Sequence, residues 1–223
     1  MPFGASRAGL MSTRVDAIPD SVVAHYDATE EETIGSISSI DDLVGSFDLS
    51  GNCEVISSGI NDQQTYRFDG SEDMRIESTG MATTEPWGVV FVVEPQESVN
   101  SNSFWIEFNA DSAGSGIQDD DGGTFDIHRE NVDMNGDTPS SEPQILTYKA
   151  YDADRVEFRV DGETQADDSL AGGDMNGIML ANAFHFDEPA EIDIGEVYAL
   201  EGAEDDDFGQ LEESLSDDWQ ISL

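Results

Sequence analysis

Hydrophobic residues alternate with polar residues in short runs along most of this chain. In RVEFRVDG, Val156, Phe158 and Val160 occupy alternate positions, and the run ends at an Asp-Gly pair. A period of two is typical of β-strands, because successive side chains point to opposite faces of a sheet. Gly, Pro, Asn and Asp separate the runs at intervals of about 8 to 15 residues. The pattern predicts an all-β fold, an antiparallel β-sandwich.

Ten runs have this strand pattern: residues 21–27, 65–70, 73–78, 87–95, 103–109, 123–130, 145–152, 155–162, 177–182 and 191–200. Residues 110–123 and 130–143 are rich in Gly, Ser, Asp and Asn, and they are too polar for a core. These two stretches are therefore predicted to be loops.

One helix is predicted near the C-terminus. In EDDDFGQLEESLSDDW, Phe208, Leu211, Leu215 and Trp219 fall on one helical stripe. The acidic residues at its start suit the positive end of the helix dipole. We expect this short helix to lie against the sandwich.

The composition is strongly acidic. The 223 residues include 50 Asp and Glu but only 8 Lys and Arg, for a formal net charge of −42, and 37% of the residues are hydrophobic. The aromatic residues recur inside the alternating runs, which indicates a folded domain with a charged surface rather than a disordered chain. Such a surface repels itself in dilute buffer but is screened in about 1 M salt, where the Debye length is about 3 Å. A hypersaline habitat is predicted, and nucleic-acid binding is excluded because it needs a basic footprint.

The N-terminal segment differs from the rest of the chain. Residues 1–19 are predicted to be an extended anchoring arm, and residues 20–223 a single domain. The arm has no acid before position 16, and its candidate anchoring residues are Phe3, Arg7, Leu10, Met11 and Arg14. The alternative is an ordinary frayed terminus. No signal peptide and no apolar run of membrane-spanning length is recognised, so we expect neither conventional secretion nor membrane insertion.

Candidate ligand-binding residues lie on the alternate positions that the strand pattern turns outward. Trp105, Glu107, Asn109 and His128 would offer one aromatic ring and several polar groups. The alternative is that Trp105 packs under a loop or at a subunit interface. The three histidines are far apart and are interpreted as polar surface positions, and the acidic loops do not have the spacing of an EF-hand. No metal site, catalytic residue or cofactor is predicted from these residues.

Three stretches together resemble a known family. TYRFDGSEDMRIES, LTYKAYDADRVEFRVDGE and EIDIGEVYALEGAEDDDFGQLEESLSDDW occur in the order seen in LamG-like domains of the concanavalin A-like lectin/glucanase superfamily. This resemblance implies a jelly roll of two curved antiparallel sheets with a short C-terminal helix. It also implies that a structural Ca²⁺ is compatible with the domain, although no site can be assigned. The fold alone does not specify a function.

The stretch EIDIGE raises the question of catalysis. Glu191, Asp193 and Glu196 have the E-x-D-x-x-E spacing of laminarinase-like glycoside hydrolases, in which one Glu attacks and the other protonates. In those enzymes this strand lies mid-domain, whereas only 27 residues follow Glu196 here. The run is interpreted instead as the last core strand, with Gly195 permitting a local bulge. The chain is therefore predicted not to be an enzyme.

The leading functional hypothesis is a virion surface protein of a tailed virus of halophilic archaea, of the turret, decoration or tail-fibre type. It would be made in the host cytoplasm, form homo-oligomers, bind other virion proteins through the arm and present the domain to host-surface glycans. The alternative is a cellular carbohydrate-binding or adhesion module of a halophile. The third hypothesis is a glycoside hydrolase that uses EIDIGE.

Overall fold

The computed structural model describes residues 18–96, 103–108, 110, 115–119, 124–129, 132–136, 138–152, 155–169, 174–184 and 188–223. At strand positions 78–80, 128, 129, 132, 133 and 152, only the backbone is described. The predicted arm falls almost entirely before the first described residue.

Strands make up most of the described chain, and a single α-helix, α1, follows them at Asp205–Trp219. The strands are β1 Val22–Asp27, β2 Gly35–Ile40, β3 Leu49–Ile56, β4 Thr65–Asp69, β5 Met74–Ala82, β6 Trp87–Pro95, β7 Phe104–Glu107, β8 Ser115–Asp119, β9 Phe125–Arg129, β10 Val132–Asn135, β11 Gln144–Asp152, β12 Arg155–Val160, β13 Glu163–Asp168, β14 Met175–Leu180 and β15 Glu191–Glu201. Short 3-10 turns occupy Ala28–Glu30 and Ile60–Asp62.

The strands form one hydrogen-bonded path in the order β10-β9-β8-β7-β14-β5-β3-β4-β15-β6-β11-β12-β13, with β1 added to β15 and β2 to β3. Neighbouring strands along this path are antiparallel. The all-β prediction with one C-terminal helix is confirmed. The sheet curls in a barrel-like manner, so the finer prediction of a jelly-roll sandwich stays a prediction.

Strand β3 joins the two halves of the sheet. Its first part pairs with β5 at Ser50 and Gly51, and its last part pairs with β4 at Glu54–Ile56. The two halves face each other across the main core, where Phe125 of β9 lies 5.0 Å from Phe158 of β12 between ring centroids. The core is therefore built by strands that are distant in sequence.

A second hydrophobic cluster lies on the outer face of β6, β11 and β15. The apolar stripe of α1 packs there, and all four of its predicted residues, Phe208, Leu211, Leu215 and Trp219, are buried. Their partners on the sheet are Val90, Val92, Ile145, Tyr198 and Leu200. The predicted position of the helix against the sheet is confirmed. No helix in the described part of the chain is both long and apolar enough to cross a bilayer.

The predicted loops at 110–123 and 130–143 contain strands, so the prediction that they are loops throughout is wrong. Strand β8 is buried along its whole length although it includes Ser115, Gln118 and Asp119. Asp119 Oδ1 accepts hydrogen bonds from the backbone N and the Oγ of Ser103, at 2.6 and 2.9 Å. A polar side chain can lie inside a fold when it has such partners. The prediction of a loop here was wrong because it rested on polarity alone. Strand β10 lies in the second predicted loop.

Candidate functional site

The E-x-D-x-x-E residues lie on β15, where Asp193 and Glu196 contact side chains of other elements. Asp193 is fully buried and forms a bidentate ion pair with Arg67 of β4, with both N–O distances at 2.7 Å. The two residues are cross-strand partners in the β15–β4 ladder. Asp193 therefore serves to pair a cation on the neighbouring strand.

Glu196 is the centre of a buried hydrogen-bond network. Its Oε1 lies 2.8 Å from His25 Nε2 and accepts a 2.6 Å hydrogen bond from the Tyr198 hydroxyl. Its Oε2 accepts a 3.1 Å hydrogen bond from Trp219 Nε1 of α1. Burial alone would raise the pKa of Glu196, but these hydrogen bonds and the charge of His25 outweigh burial and lower the pKa. This carboxylate links β1, β15 and α1.

The predicted bulge in EIDIGE is present. The register between β15 and β6 shifts between Ile194 and Val197. Ile192, Ile194 and Val197 belong to the main core, and the extra residue lets both Gly195 and Glu196 face α1. A Cβ at Gly195 would lie 2.5 Å from Cη2 of Trp219. Glycine at this position therefore admits the Trp219 ring.

The predicted ligand-binding set is not an exposed platform. Trp105 and Glu107 are 1% and 0% exposed, so the prediction that they face outward is wrong. The register of β7 against β8 shifts between Phe104 and Ile106. This bulge breaks the alternation at Trp105, whose ring meets Phe125 of β9 edge-on at 5.1 Å between centroids.

Glu107 accepts a hydrogen bond from the backbone N of Phe184, so a later segment of the chain covers that face of β7. Asn109 lies outside the described residues, and of His128 only the backbone, in β9, is described. The anchoring residues Phe3, Arg7, Leu10, Met11 and Arg14 also lie outside the described residues.

An open groove of about 560 Å³ lies where α1 begins, and we call it the α1 groove. It combines one aromatic side chain, one ammonium group and three carboxylates with apolar and backbone surface. Its lining residues are Pro86, Lys149, Tyr151, Gly202, Ala203, Glu204, Asp205 and Asp206. The volume is in the range of small-molecule sites, which is about 300 to 1,000 Å³.

The floor of the α1 groove is set by Lys149, the only lysine of the chain. Its side chain is buried, and its Nζ donates to Asp205 and lies 4.2 and 4.6 Å from the ring centroids of Tyr151 and Phe208. The hydrogen bond from Lys149 lowers the pKa of Asp205. Arg155 lies 4.0 Å from the Tyr151 ring centroid. Two cations thus contact the Tyr151 ring.

His25 is only 4% exposed, which corrects its interpretation as a solvent-facing residue. It lies on β1 beside β15 and stacks on Tyr198 with ring centroids 4.1 Å apart. Candidate metal-ligand atoms of His25, Asp27 and Glu196 all lie within 4.8 Å of one another. No local sequence pattern predicts this cluster, because His25 and Glu196 are 171 residues apart.

No protein-family model matches the sequence, and no curated protein matches it. Solved structures do match the fold. Domain 4 of AbnA, a GH43 extracellular arabinanase from Geobacillus stearothermophilus in complex with arabinotriose, aligns with a TM-score of 0.60 and 14% identity. That alignment covers 87% of this chain and 98% of the arabinanase domain.

Two further matches come from larger proteins. Trypanosoma rangeli sialidase in complex with sialic acid has a TM-score of 0.71 and 12% identity, over 92% of this chain and 34% of the sialidase. The binding domain of botulinum neurotoxin DC in complex with rat synaptotagmin II has a TM-score of 0.64 and 13% identity, over 89% of this chain and 52% of that domain. The chain thus spans about a third of the sialidase and about half of the toxin domain. At these identities the likeness is one of fold.

Proposed function

We propose that this chain is a carbohydrate-binding domain that binds a neutral glycan in the α1 groove. The observation that carries the proposal is the composition of the groove, where a tyrosine and several carboxylates converge on a space of ligand size. Carboxylate oxygens accept hydrogen bonds from sugar hydroxyls, and the tyrosine adds an apolar ring edge and a polar tip. The hydroxyl of Tyr151 is itself oriented by hydrogen bonding to Glu157.

The charges of the α1 groove favour a neutral ligand over an anionic one. Lys149 is the one cation that lines the groove, and it is already paired with Asp205. Glu204 and Asp206 are exposed and carry negative charge at the groove rim. A sialic acid or uronic acid would meet like charges there, which is unfavourable.

The fold supports a binding role without specifying it. Domain 4 of the arabinanase was solved with arabinotriose, and this chain matches nearly the whole of that domain. The toxin binding domain, about half of which matches this chain, was solved in complex with synaptotagmin, so a protein ligand is the alternative. Carbohydrate binding is preferred here because the groove combines carboxylates with a tyrosine and has the volume of a small-molecule site.

We also propose where this domain works. A virion surface protein of a haloarchaeal tailed virus, oligomeric and anchored through residues 1–19, would present this groove to host glycans. Its support is the acidic composition and the basic arm in the sequence. A cellular adhesion module of a halophile is the alternative, and the genes beside this one would distinguish virion assembly genes from cell-surface genes.

A binding role without catalysis is also part of the proposal. A general acid of a glycosidase needs a raised pKa, whereas the pKa of Glu196 is lowered by its hydrogen-bond donors. Asp193 is committed to Arg67. We expect no reducing sugar to be released from any glycan that binds.

Calorimetric titration of neutral oligosaccharides, including arabinotriose, in about 2 M KCl tests glycan binding. We expect Tyr151→Ala and Asp206→Ala each to weaken binding about tenfold, which corresponds to about 1.4 kcal/mol. Glu163→Ala, at an exposed position on β13, is the matched control and should bind as the wild type does. Absence of binding across a broad neutral glycan panel, or binding that both groove variants retain, would overturn the proposal.

A further inference from the structure

Three potential metal ligands meet on the paired strands β1 and β15, away from the α1 groove. His25 and Asp27 are two residues apart and therefore share one face of β1. Asp27 is the direct cross-strand partner of Glu196, and His25 is the partner of Tyr198. His25, Asp27 and Glu196 are 4%, 2% and 5% exposed, and their ligand atoms lie within 4.8 Å of one another.

The ligand atoms of this cluster converge closely enough to share one cation. Two carboxylates directly opposite each other on neighbouring strands repel, and burial increases the cost of their charge. His25 Nε2 lies 2.8 Å from Glu196 Oε1. A divalent ion at the centre of the cluster would contact the imidazole nitrogen and both carboxylates at once. We propose that His25, Asp27 and Glu196 form a binding site for a divalent transition-metal ion of the Zn²⁺ type.

The surrounding residues hold the three side chains in place, as second-shell partners do at metal sites. Glu196 is fixed by the Tyr198 hydroxyl and by Trp219 Nε1. Asp27 Oδ1 accepts hydrogen bonds from the backbone N and the Oγ1 of Thr29, at 2.8 and 2.7 Å. The His25 ring is held by its stacking on Tyr198. The ligands are thus positioned before any ion binds.

The donor set selects the class of ion. One imidazole nitrogen and two carboxylates suit Zn²⁺, which binds such atoms at about 2.0 to 2.2 Å. Ca²⁺ takes about 6 to 8 oxygen ligands, and a buried site with one nitrogen does not offer that number. On binding, the ion replaces the proton between His25 Nε2 and Glu196 Oε1, and that proton is released to solvent. Solvent completes the coordination of the ion.

The test uses the full-length protein, treated with a chelator and titrated with Zn²⁺ and with Co²⁺ in about 2 M KCl, where diffuse binding to surface acids is screened. We expect one saturable equivalent per chain, a rise in thermal midpoint with Zn²⁺, and Co²⁺ absorption bands of a low-coordinate site. His25→Gln and Asp27→Asn should each weaken Zn²⁺ binding at least tenfold. Trp219 fluorescence should change with Zn²⁺, because its Nε1 contacts Glu196.

Asp193→Asn is the matched control, because it removes another buried carboxylate of β15 that is paired with Arg67. It should keep the Zn²⁺ equivalent, as should Cys53→Ser, which removes the single thiol. Binding that is only weak and unsaturable, or a saturable equivalent that survives in both His25→Gln and Asp27→Asn, would overturn the site. If those variants do not fold, the wild-type Co²⁺ spectrum decides, since absence of its bands contradicts coordination by His25.

Discussion

Two adjacent residues of the β15 bulge fix how α1 attaches to the sheet. Gly195 has no side chain where the Trp219 ring lies, and Glu196 accepts the hydrogen bond from Trp219 Nε1. Without the extra residue of the bulge, only one of the two could face the helix, because side chains alternate along a strand. The position of Trp219 thus depends on the missing side chain at Gly195 and on the carboxylate of Glu196.

Gly195→Ala should destabilise the fold. The added Cβ would lie 2.5 Å from a ring atom of buried Trp219, and overpacking of this kind costs about 1 to 3 kcal/mol. Gly209→Ala in α1 is the control, since its Cβ meets nothing within 4 Å and the change should stabilise the helix by up to about 1 kcal/mol. Denaturant unfolding in high salt measures both, and a change of the same sign in the two variants would contradict this account.

The carboxylate of Glu157 should make stability depend on acid pH. Burial alone would raise its pKa, but hydrogen bonds from Arg159, Thr164 and Tyr151 lower it to about 2, below the value of about 4.3 for an unfolded chain. The ionised group therefore stabilises the fold above pH of about 4.3, and this contribution is lost as pH falls toward 2.

Thermal unfolding of wild type and Glu157→Gln across this range measures the effect. The difference in thermal midpoint should be constant near neutral pH and should shrink below pH of about 4. The exposed Glu163→Gln variant is the control, and its small difference should stay flat. A Glu157→Gln difference that persists to the lowest pH would count against the assigned contacts.

The residues of these sites could be predicted only in part from the sequence. The bulge at Gly195 was predicted, because a glycine inside a strand pattern often marks one. The partners of Glu196 were not, since His25 and Trp219 are 171 and 23 residues away and no local pattern encodes that pairing. Trp105 was misplaced because an extra residue in β7 reverses the alternation on which the prediction rested.

At the scale of elements, local periodicity predicted most strands that have an apolar face, although it missed β3, where Leu49, Cys53 and Val55 are buried. Strand β6 was predicted with its observed bounds, Trp87–Pro95, and α1 within one residue at its start. Strands β2 and β13 were not predicted, because GSISSI and ETQADD contain few apolar residues and are largely exposed. Such strands form because a neighbouring strand offers backbone groups for hydrogen bonding. That pairing depends on the tertiary fold and is not encoded in the local sequence.

The contribution of α1 to stability should depend on its apolar stripe. Leu211→Ala removes a buried side chain of the second hydrophobic cluster and should cost about 2 to 5 kcal/mol. Glu213→Ala, on the exposed side of α1, should change stability by less than about 0.5 kcal/mol. Chemical unfolding followed by tryptophan fluorescence measures both, and equal effects would show that α1 is not held by this stripe.

At the scale of the whole molecule, the few cations are used to bind the fold together. Arg67, Lys149, Arg155 and Arg159 each form an ion pair with a carboxylate. Arg159 also reaches Glu212 of α1 and thereby links β12 to the helix. The 50 acidic residues far outnumber the 8 basic ones, so negative charge dominates the molecule.

Salt should therefore control folding. We expect cooperative unfolding in about 2 M KCl and partial loss of structure below about 0.2 M, because self-repulsion of the −42 charge is then less screened. Thermal scans over this range, with the same ionic strength set by NaCl as a control for ion identity, provide the measurement. A thermal midpoint that does not change with salt would contradict the predicted hypersaline habitat.

Deletion of residues 2–17 should leave a folded domain, because every described strand begins after that point. The deleted segment contains Arg7 and Arg14, which can each form two hydrogen bonds with a carboxylate of another acidic subunit. If the chain forms the proposed oligomer, we expect the truncated chain to lose it, as measured by light scattering of both chains in high salt. If the truncated chain assembles as the wild type does, the arm is an ordinary frayed terminus and the anchoring proposal is wrong.

The pairing of β1 with β15 determines where a mechanical load would enter the domain. A tether on the N-terminal arm would pull on β1, which is hydrogen-bonded along Val22–Asp27 to β15. Strand β15 is in turn bonded to β4 and β6, so it lies inside the sheet rather than at its edge. Traction along β1 would act on several antiparallel hydrogen bonds in shear, together instead of one at a time. A load on the arm would thus enter the sheet through β15, which pairs with β1, β4 and β6.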